Sequence, residues 1–386
     1  MISQLTRISC GFAAFGMLAL AGCAEPANSS QSDTGNADAG EATPVIADYG
    51  QRRDEVLALL EEVGAAGNTL SGQQVNEYEV FIPCDSFDFI EEMTGEIPAV
   101  LGLELMFAME YQGYRELMLA HAQRQAARGG LVTFTWHARN PIKVCPRGEY
   151  YECSQYAMTD DELDRLLTPG TREHALWLKD LDATAEILKD YTDQGITLLF
   201  RPFHEMNGGW FWWGQKQRYT DLWAMTYDRI ATHHGITNMI WVWGADKGAE
   251  GAEQYYPGDE TVDFVGTDFY AAGTDDAQFM TGYGNVQPLH GNGFIAITEV
   301  GVMPSYEIFR QIQPLWFLQW GGSFMNPDWD YAGNCDRCSP KGHVEDVYSW
   351  PEVLNVEEMP KTDRMRAAMD PVAAQEAPKE CPLSLL

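Results

Sequence analysis

Two glutamates each close a short apolar run: Glu205 ends "ITLLFRPFHE" and Glu299 ends "FIAITE". A carboxyl at a strand end is, taken singly, more often a salt-bridge partner than a catalyst. A pair converging on one bond can divide acid–base labour, one group donating a proton while the other attacks or activates water. The company of this pair points to the second reading. "RPFHEMNGGWFWWG" (Arg201 to Gly214) sets Glu205 directly behind His204 and just ahead of Trp210, Trp212 and Trp213. Indole rings give the C–H face of a sugar an apolar plate to lie on. Paired carboxyls above such plates are what cleavage of a glycosidic bond requires.

For the two carboxyls to meet, the intervening chain must bring distant strand ends to one rim. Eight apolar runs read as strands: Asn68 to Gln73, Ile97 to Leu105, Leu131 to Trp136, Thr197 to Phe203, Met239 to Trp243, Asp263 to Phe269, Phe294 to Glu299 and Leu315 to Trp320. Amphipathic patterns such as "GYRELMLAHAQRQAARGG" and "YTDLWAMTYDRIATHHG" fall between them and end in the glycine expected after a helix C-cap. Trp177 and Trp223 sit on such helical patterns and are read as core. Strands separated by helices predict an α/β chain, a (β/α)8 TIM barrel forming a single catalytic domain over residues 45–350, with a doubly wound sheet as the alternative. In such a barrel the site lies where the strands end, which adds "WHARNP", "GTDFY", "TEVG" and "QW" to the candidates. Simple alternation puts Leu199, Arg201, Phe203 and Glu205 on one face of the fourth strand, and Ile295, Ile297 and Glu299 on one face of the seventh.

In matching order, these segments resemble the signature of glycoside hydrolase family 26, whose commonest members are endo-β-1,4-mannanases. The likeness runs from Val45 to Trp350. It implies Glu205 as acid/base and Glu299 as nucleophile, acting with retention. It also implies that His204 orients the carboxylates, His137 lines the glycone side, Trp210 floors the cleft, Tyr270 hydrogen-bonds the nucleophile and Trp320 lies under the sugar at the cleavage point. The substrate implied is mannan, glucomannan or galactomannan, with β-1,3-xylan or mixed-linkage β-glucan as alternatives. Independently of the family, Glu205 needs a crowded apolar setting to stay protonated, and Glu299 needs partners such as Tyr270 and Arg201 to stay ionised. A surface glycan-binding protein without catalysis is the reading from another class. A metal hydrolase prompted by His204–Glu205 lacks a second histidine at helical spacing in "HEMNG", so no metal and no cofactor are expected.

The bulk properties agree with a neutral ligand. Across 386 residues, 25 Lys and Arg against 57 Asp and Glu give a formal charge of -32, which repels nucleic acid. Residues 1–22 read as an export signal, and "LALAGC" resembles the lipobox of bacterial lipoproteins, with Cys23 as the lipidated residue. A plain secretory signal is the alternative. Ala24 after the cysteine points by resemblance to the outer membrane of a Gram-negative cell, with the lipid as the only membrane contact. Residues 23–44 lack aromatics and form a tether, while residues 351–386 are expected as a strap or tail. The protein is expected to act as a monomer. Cys84, Cys145, Cys153, Cys335, Cys338 and Cys381 are an even set suited to disulfides, with half a zinc site at Cys335, Cys338 and His343 as the lesser alternative. The insertion "KVCPRGEYYEC" either walls one end of the cleft or is a passive loop braced by Cys145 and Cys153.

Overall fold

The computed structural model describes residues 47–75, 86–248, 250–271, 273–325, 337–340 and 342–375. The chain divides into Met1–Val45 and Ile46–Leu386, and the described residues belong to the second part. The expected signal and tether, with Cys23, and also Cys84, Cys335 and Cys381, lie outside the described residues.

Eight parallel strands close a barrel in chain order: β1 (Gly72–Gln74), β2 (Val100–Glu104), β3 (Leu131–Trp136), β4 (Leu198–Pro202), β5 (Met239–Ala245), β6 (Phe264–Phe269), β7 (Ile295–Val300) and β8 (Phe317–Gln319). The ring closes where Gln73 of β1 pairs with Gln319 of β8. A doubly wound sheet would leave two open edges, so that alternative is excluded. Each of the eight apolar runs supplies one strand, because a parallel strand with helices outside and a filled lumen inside must be apolar on both faces. The first run divides: Thr69–Leu70 turns aside to pair with Val353–Leu354, and only Gly72–Gln74 enters the barrel.

Two apolar layers hold the ring. Inside, Val100, Leu131, Leu199, Ile240, Val242, Ala296 and Trp316 pack on Val56, Leu59 and Leu60 of the helix Arg53–Ala65, which plugs the floor. Val356, Met359 and Met365 join this floor, so the segment expected as a strap or tail lies partly against it. Outside, Trp136 of β3 stacks on Trp177 of the helix Arg172–Thr192 at 5.6 Å, and Trp223 packs on Trp241 of β5 at 5.8 Å. Both helical tryptophans are therefore core, and truncating either to alanine would cost about 3–5 kcal/mol. No helix among the described residues is long and apolar enough to cross a membrane.

Simple alternation fails at both strand ends that carry the carboxyls. On β4 the extended strand stops at Pro202, and Phe203 and Glu205 adopt φ of 52° and 54°. Phe203 consequently turns out onto Trp136, Trp177 and Trp213, not onto the face of Leu199 and Arg201. Left-handed backbone at two non-glycine residues costs of order 1–3 kcal/mol each and persists only where surrounding contacts impose it. On β7, Ile295 and Ile297 belong to the outer layer, and the register slips so that Thr267 pairs with Ile297 but Asp268 with Glu299. This bulge at Thr298 lets Thr298 and Glu299 both face inward.

Candidate active site

The lumen beneath the rim is polar because glycines make room for it. A Cβ on Gly244 of β5 would lie 3.1 Å from Thr298 Oγ1 and 3.2 Å from Arg201 Cδ. Into that space projects the buried Arg201. Its Nη1 donates to Asp268 Oδ2 at 3.0 Å, and its Nη2 donates to Thr135 Oγ1 at 2.8 Å and to Glu299 Oε1. Burial alone would lower the guanidinium, but the carboxylates of Asp268 and Glu299 reverse that and hold it charged.

Glu299 is 3% exposed and is bonded through both oxygens, since Tyr270 donates its hydroxyl to Oε2 at 2.7 Å. His204 Nε2 stands 3.9 Å from Glu299 Oε1. Burial first, then Arg201 and His137, keep His204 well below its usual range, so the ring is neutral. Ligand atoms of His204, Asp268 and Glu299 lie within 4.8 Å of one another, a donor set that could hold a cation. The Arg201 guanidinium already pairs with both carboxylates of that set.

Glu205 occupies a different setting. Its backbone N–H donates to Gly244 O at 2.8 Å, which fixes the turn after β4 against β5. Its Oε2 accepts from Trp210 Nε1 at 2.7 Å. Burial pushes its carboxyl well above the usual carboxylate range, the charges of Asp268, Glu299 and Asp246 add to that, and the Trp210 bond opposes it. The two carboxyls thus stand in opposite environments, one kept as acid and one held among donors.

His137, His204, Glu205, Trp210, Tyr270, Glu299 and Trp320 all line one cavity of about 490 Å³ at the C-terminal ends of the strands. Arg201 lies beneath it. Of the three tryptophans after Glu205, only Trp210 faces the cleft, and it is 39% exposed. Trp212 and Trp213 are buried, donating from Nε1 to Ala138 O and His204 O at 2.8 Å each, so they brace the rim loops.

Sequence reasoning missed Glu104. It is fully buried at the end of β2 and clamps the next loop: Oε1 accepts from the backbone N–H of Met106 and His137, and Oε2 lies 2.6 Å from His137 Nδ1. The signal existed, for Glu104 closes an apolar strand just as Glu205 and Glu299 do. Asp268, Tyr151 and Phe211 were also not singled out, although Asp268 lies within "GTDFY". Cys145 and Cys153 form a disulfide, and the loop they brace also reaches the cleft through Tyr151, so the two readings of that loop are not exclusive. Cys338 is disulfide-bonded, and His343 Nε2 lies 3.0 Å from Met303 O, which removes the zinc alternative.

A closed parallel barrel with two buried carboxyls and an aromatic-lined cleft at its C-terminal rim defines a glycoside hydrolase. The chain belongs to glycosyl hydrolase family 26, whose model matches residues 47–358. It is 32% identical over 283 residues to a mannan endo-1,4-beta-mannosidase of Thermothelomyces thermophilus, covering 70% of this chain and 56% of that protein. It is 31% identical over 227 residues to a mannan endo-1,4-beta-mannosidase of Bacillus subtilis, covering 53% of this chain and 58% of that one. The chain thus spans little more than half the length of these curated relatives. Among solved structures, GH26A from Muricauda sp. MAR_2010_75 superposes with a TM-score of 0.67 at 28% identity, covering 83% of this chain and 99% of that one. The Podospora anserina GH26-CBM35 beta-(1,4)-mannanase does so with a TM-score of 0.66 at 28% identity, covering 85% and 72%.

Proposed function

We propose that this protein is a retaining endo-β-1,4-mannanase that cuts mannan, glucomannan or galactomannan. The observation that carries the reading is the opposite setting of the two carboxyls. Glu205 is driven toward its protonated form, whereas Glu299 is bonded through both oxygens by Arg201 and Tyr270. The names of the relatives supply the substrate class.

In the first step a Glu299 oxygen attacks the anomeric carbon while the Glu205 proton passes to the departing glycosidic oxygen, leaving a glycosyl ester. Ester formation removes the negative charge of Glu299 and with it one of the influences that raise Glu205. Glu205, now a carboxylate, takes a proton from water as that water attacks the same carbon, and Glu299 leaves. Two inversions give net retention. Neutral His204 and the His137–Glu104 pair line and brace the glycone side, while Trp210 and Trp320 carry the rings.

The test is incubation of the purified domain with mannan, glucomannan, lichenan and β-1,3-xylan, with products sorted by length and anomer. Release of mannooligosaccharides is expected, with Glu299→Ala abolishing turnover and leaving binding intact. Unchanged turnover in that variant, or none in a folded wild-type sample, would sink the reading. The protein is also proposed to be an outer-membrane lipoprotein acting as a monomer on its polysaccharide, tethered through Cys23 by residues 23–44. Labelled palmitate should enter the wild-type chain and not Cys23→Ser; equal incorporation, or none in either, contradicts the anchor.

A further inference from the structure

The disulfide-braced loop after β3 carries a side chain that the two-step reaction leaves unused. The short helix Tyr150–Ser154 includes Cys153 of the Cys145–Cys153 bridge. Two neighbouring rim segments grip the same helix: Asn140 N donates to Cys153 O at 3.0 Å, and Trp212 N to Ser154 O at 2.9 Å. Its first two residues face different ways, as consecutive helical residues must. Tyr150 is buried edge-on against Phe107 and Tyr111. Tyr151 lines the cavity that holds Glu205 and Glu299, with its ring 5.2 Å from His137 and 6.3 Å from Phe211.

Tyr151 is nonetheless 39% exposed, and this exposure is selective. Among the described residues the exposed aromatics are Tyr151, Trp210 and Tyr306. Tyr306 is covered by Arg310 and bonds Glu352, whereas Tyr151 and Trp210 both open onto the cleft. Burial first, then the charges of Glu205 and Glu299, push the Tyr151 hydroxyl up to about 12, so it remains a neutral donor over the working pH range. A rigidly held ring with a donor at its tip suits a sugar, which offers a C–H face and hydroxyl oxygens together.

We propose that Tyr151, held over the cleft by the Cys145–Cys153 bridge, is a specificity-determining residue that fixes where along a β-mannan chain the cut falls. It forms a third plate, distinct from Trp210 and Trp320, and a ring seated on it decides which linkage lies between the carboxyls. This rests on the mannanase reading above. Without the plate, the remaining aromatics choose the register and neighbouring linkages become competitive.

The test is the initial product ratio from β-1,4-mannohexaose cut in ¹⁸O-labelled water, which shows from which end each product comes. Tyr151→Ala and Tyr151→Leu should each change that ratio at least about threefold and raise KM about tenfold, with kcat on polymeric mannan kept within about threefold. Tyr151→Phe, which keeps the ring, should hold the wild-type ratio more closely than Tyr151→Ala. Replacing both Cys145 and Cys153 by serine should move the ratio in the direction of Tyr151→Ala. An unchanged ratio in Tyr151→Ala and Tyr151→Leu, or a loss confined to kcat, overturns the proposal, and an unchanged ratio in the double-serine variant overturns the role of the bridge. A wild-type sample that cleaves no mannohexaose overturns the underlying function instead.

Discussion

The indole N–H of Trp210 donates to Glu205 Oε2 at 2.7 Å, so the floor of the cleft is bonded to the acid that it faces. With Oε2 occupied as an acceptor, the proton of the neutral acid belongs on Oε1. Trp210 therefore fixes the orientation of the Glu205 carboxyl as well as lining the cleft.

Trp210→Phe keeps an aromatic plate and deletes the donor. The bond stabilises the anion, so its loss raises the Glu205 carboxyl further. Activity fails as pH rises through the acid's pKa, and the basic limb of the kcat/KM profile should move to higher pH in the variant. A basic limb that stays put or moves down would contradict this.

Glu205 also costs stability. Its carboxyl is raised in the folded protein above the ordinary value of 4.5, so the penalty is absent below that pH and grows as pH climbs toward the folded pKa. Glu205→Gln removes the titration. The variant should unfold at higher temperature than wild type at pH 7, with the difference vanishing near pH 4, while kcat on mannan falls about 10²–10⁴-fold. Thermal denaturation at a series of pH values checks both the sign and the window.

Much of this site was legible because strand ends in a parallel barrel share one rim, and a carboxylate closing an apolar run is visible by eye. What stayed hidden was the route by which side chains reach the lumen. Nothing in "FHE" or "ITE" announces two left-handed residues or a bulge at Thr298, since no glycine marks either place. Glu104 escaped because its apolar run reads on through Leu105, which hides a carboxyl that the fold places at the strand end. Trp212 and Trp213 looked like sugar plates because composition does not separate an exposed indole from a buried one. Tyr151 arrives from a different loop, and only the fold brings it to Glu205.

The bulge can be tested through its neighbour. A Cβ on Gly266 of β6 would lie 2.4 Å from Thr298 Cγ2, too close for the present arrangement. Gly266→Ala should cost about 1–3 kcal/mol by overpacking and, by displacing Thr298 beside Glu299, should lower kcat more than it raises KM. Urea denaturation and steady-state kinetics on the same sample separate the two effects. Wild-type kcat together with the stability loss would show that Thr298 does not position Glu299.

The most direct measurement traps the covalent intermediate. Incubation with a 2-deoxy-2-fluoro-β-mannosyl fluoride slows breakdown of the glycosyl ester, and peptide mass spectrometry then locates the label. One sugar per chain on Glu299 is expected, with none in Glu299→Ala. A label on Glu205, or a mannan product first formed as the inverted anomer without any label, would contradict the assignment of the two carboxyls.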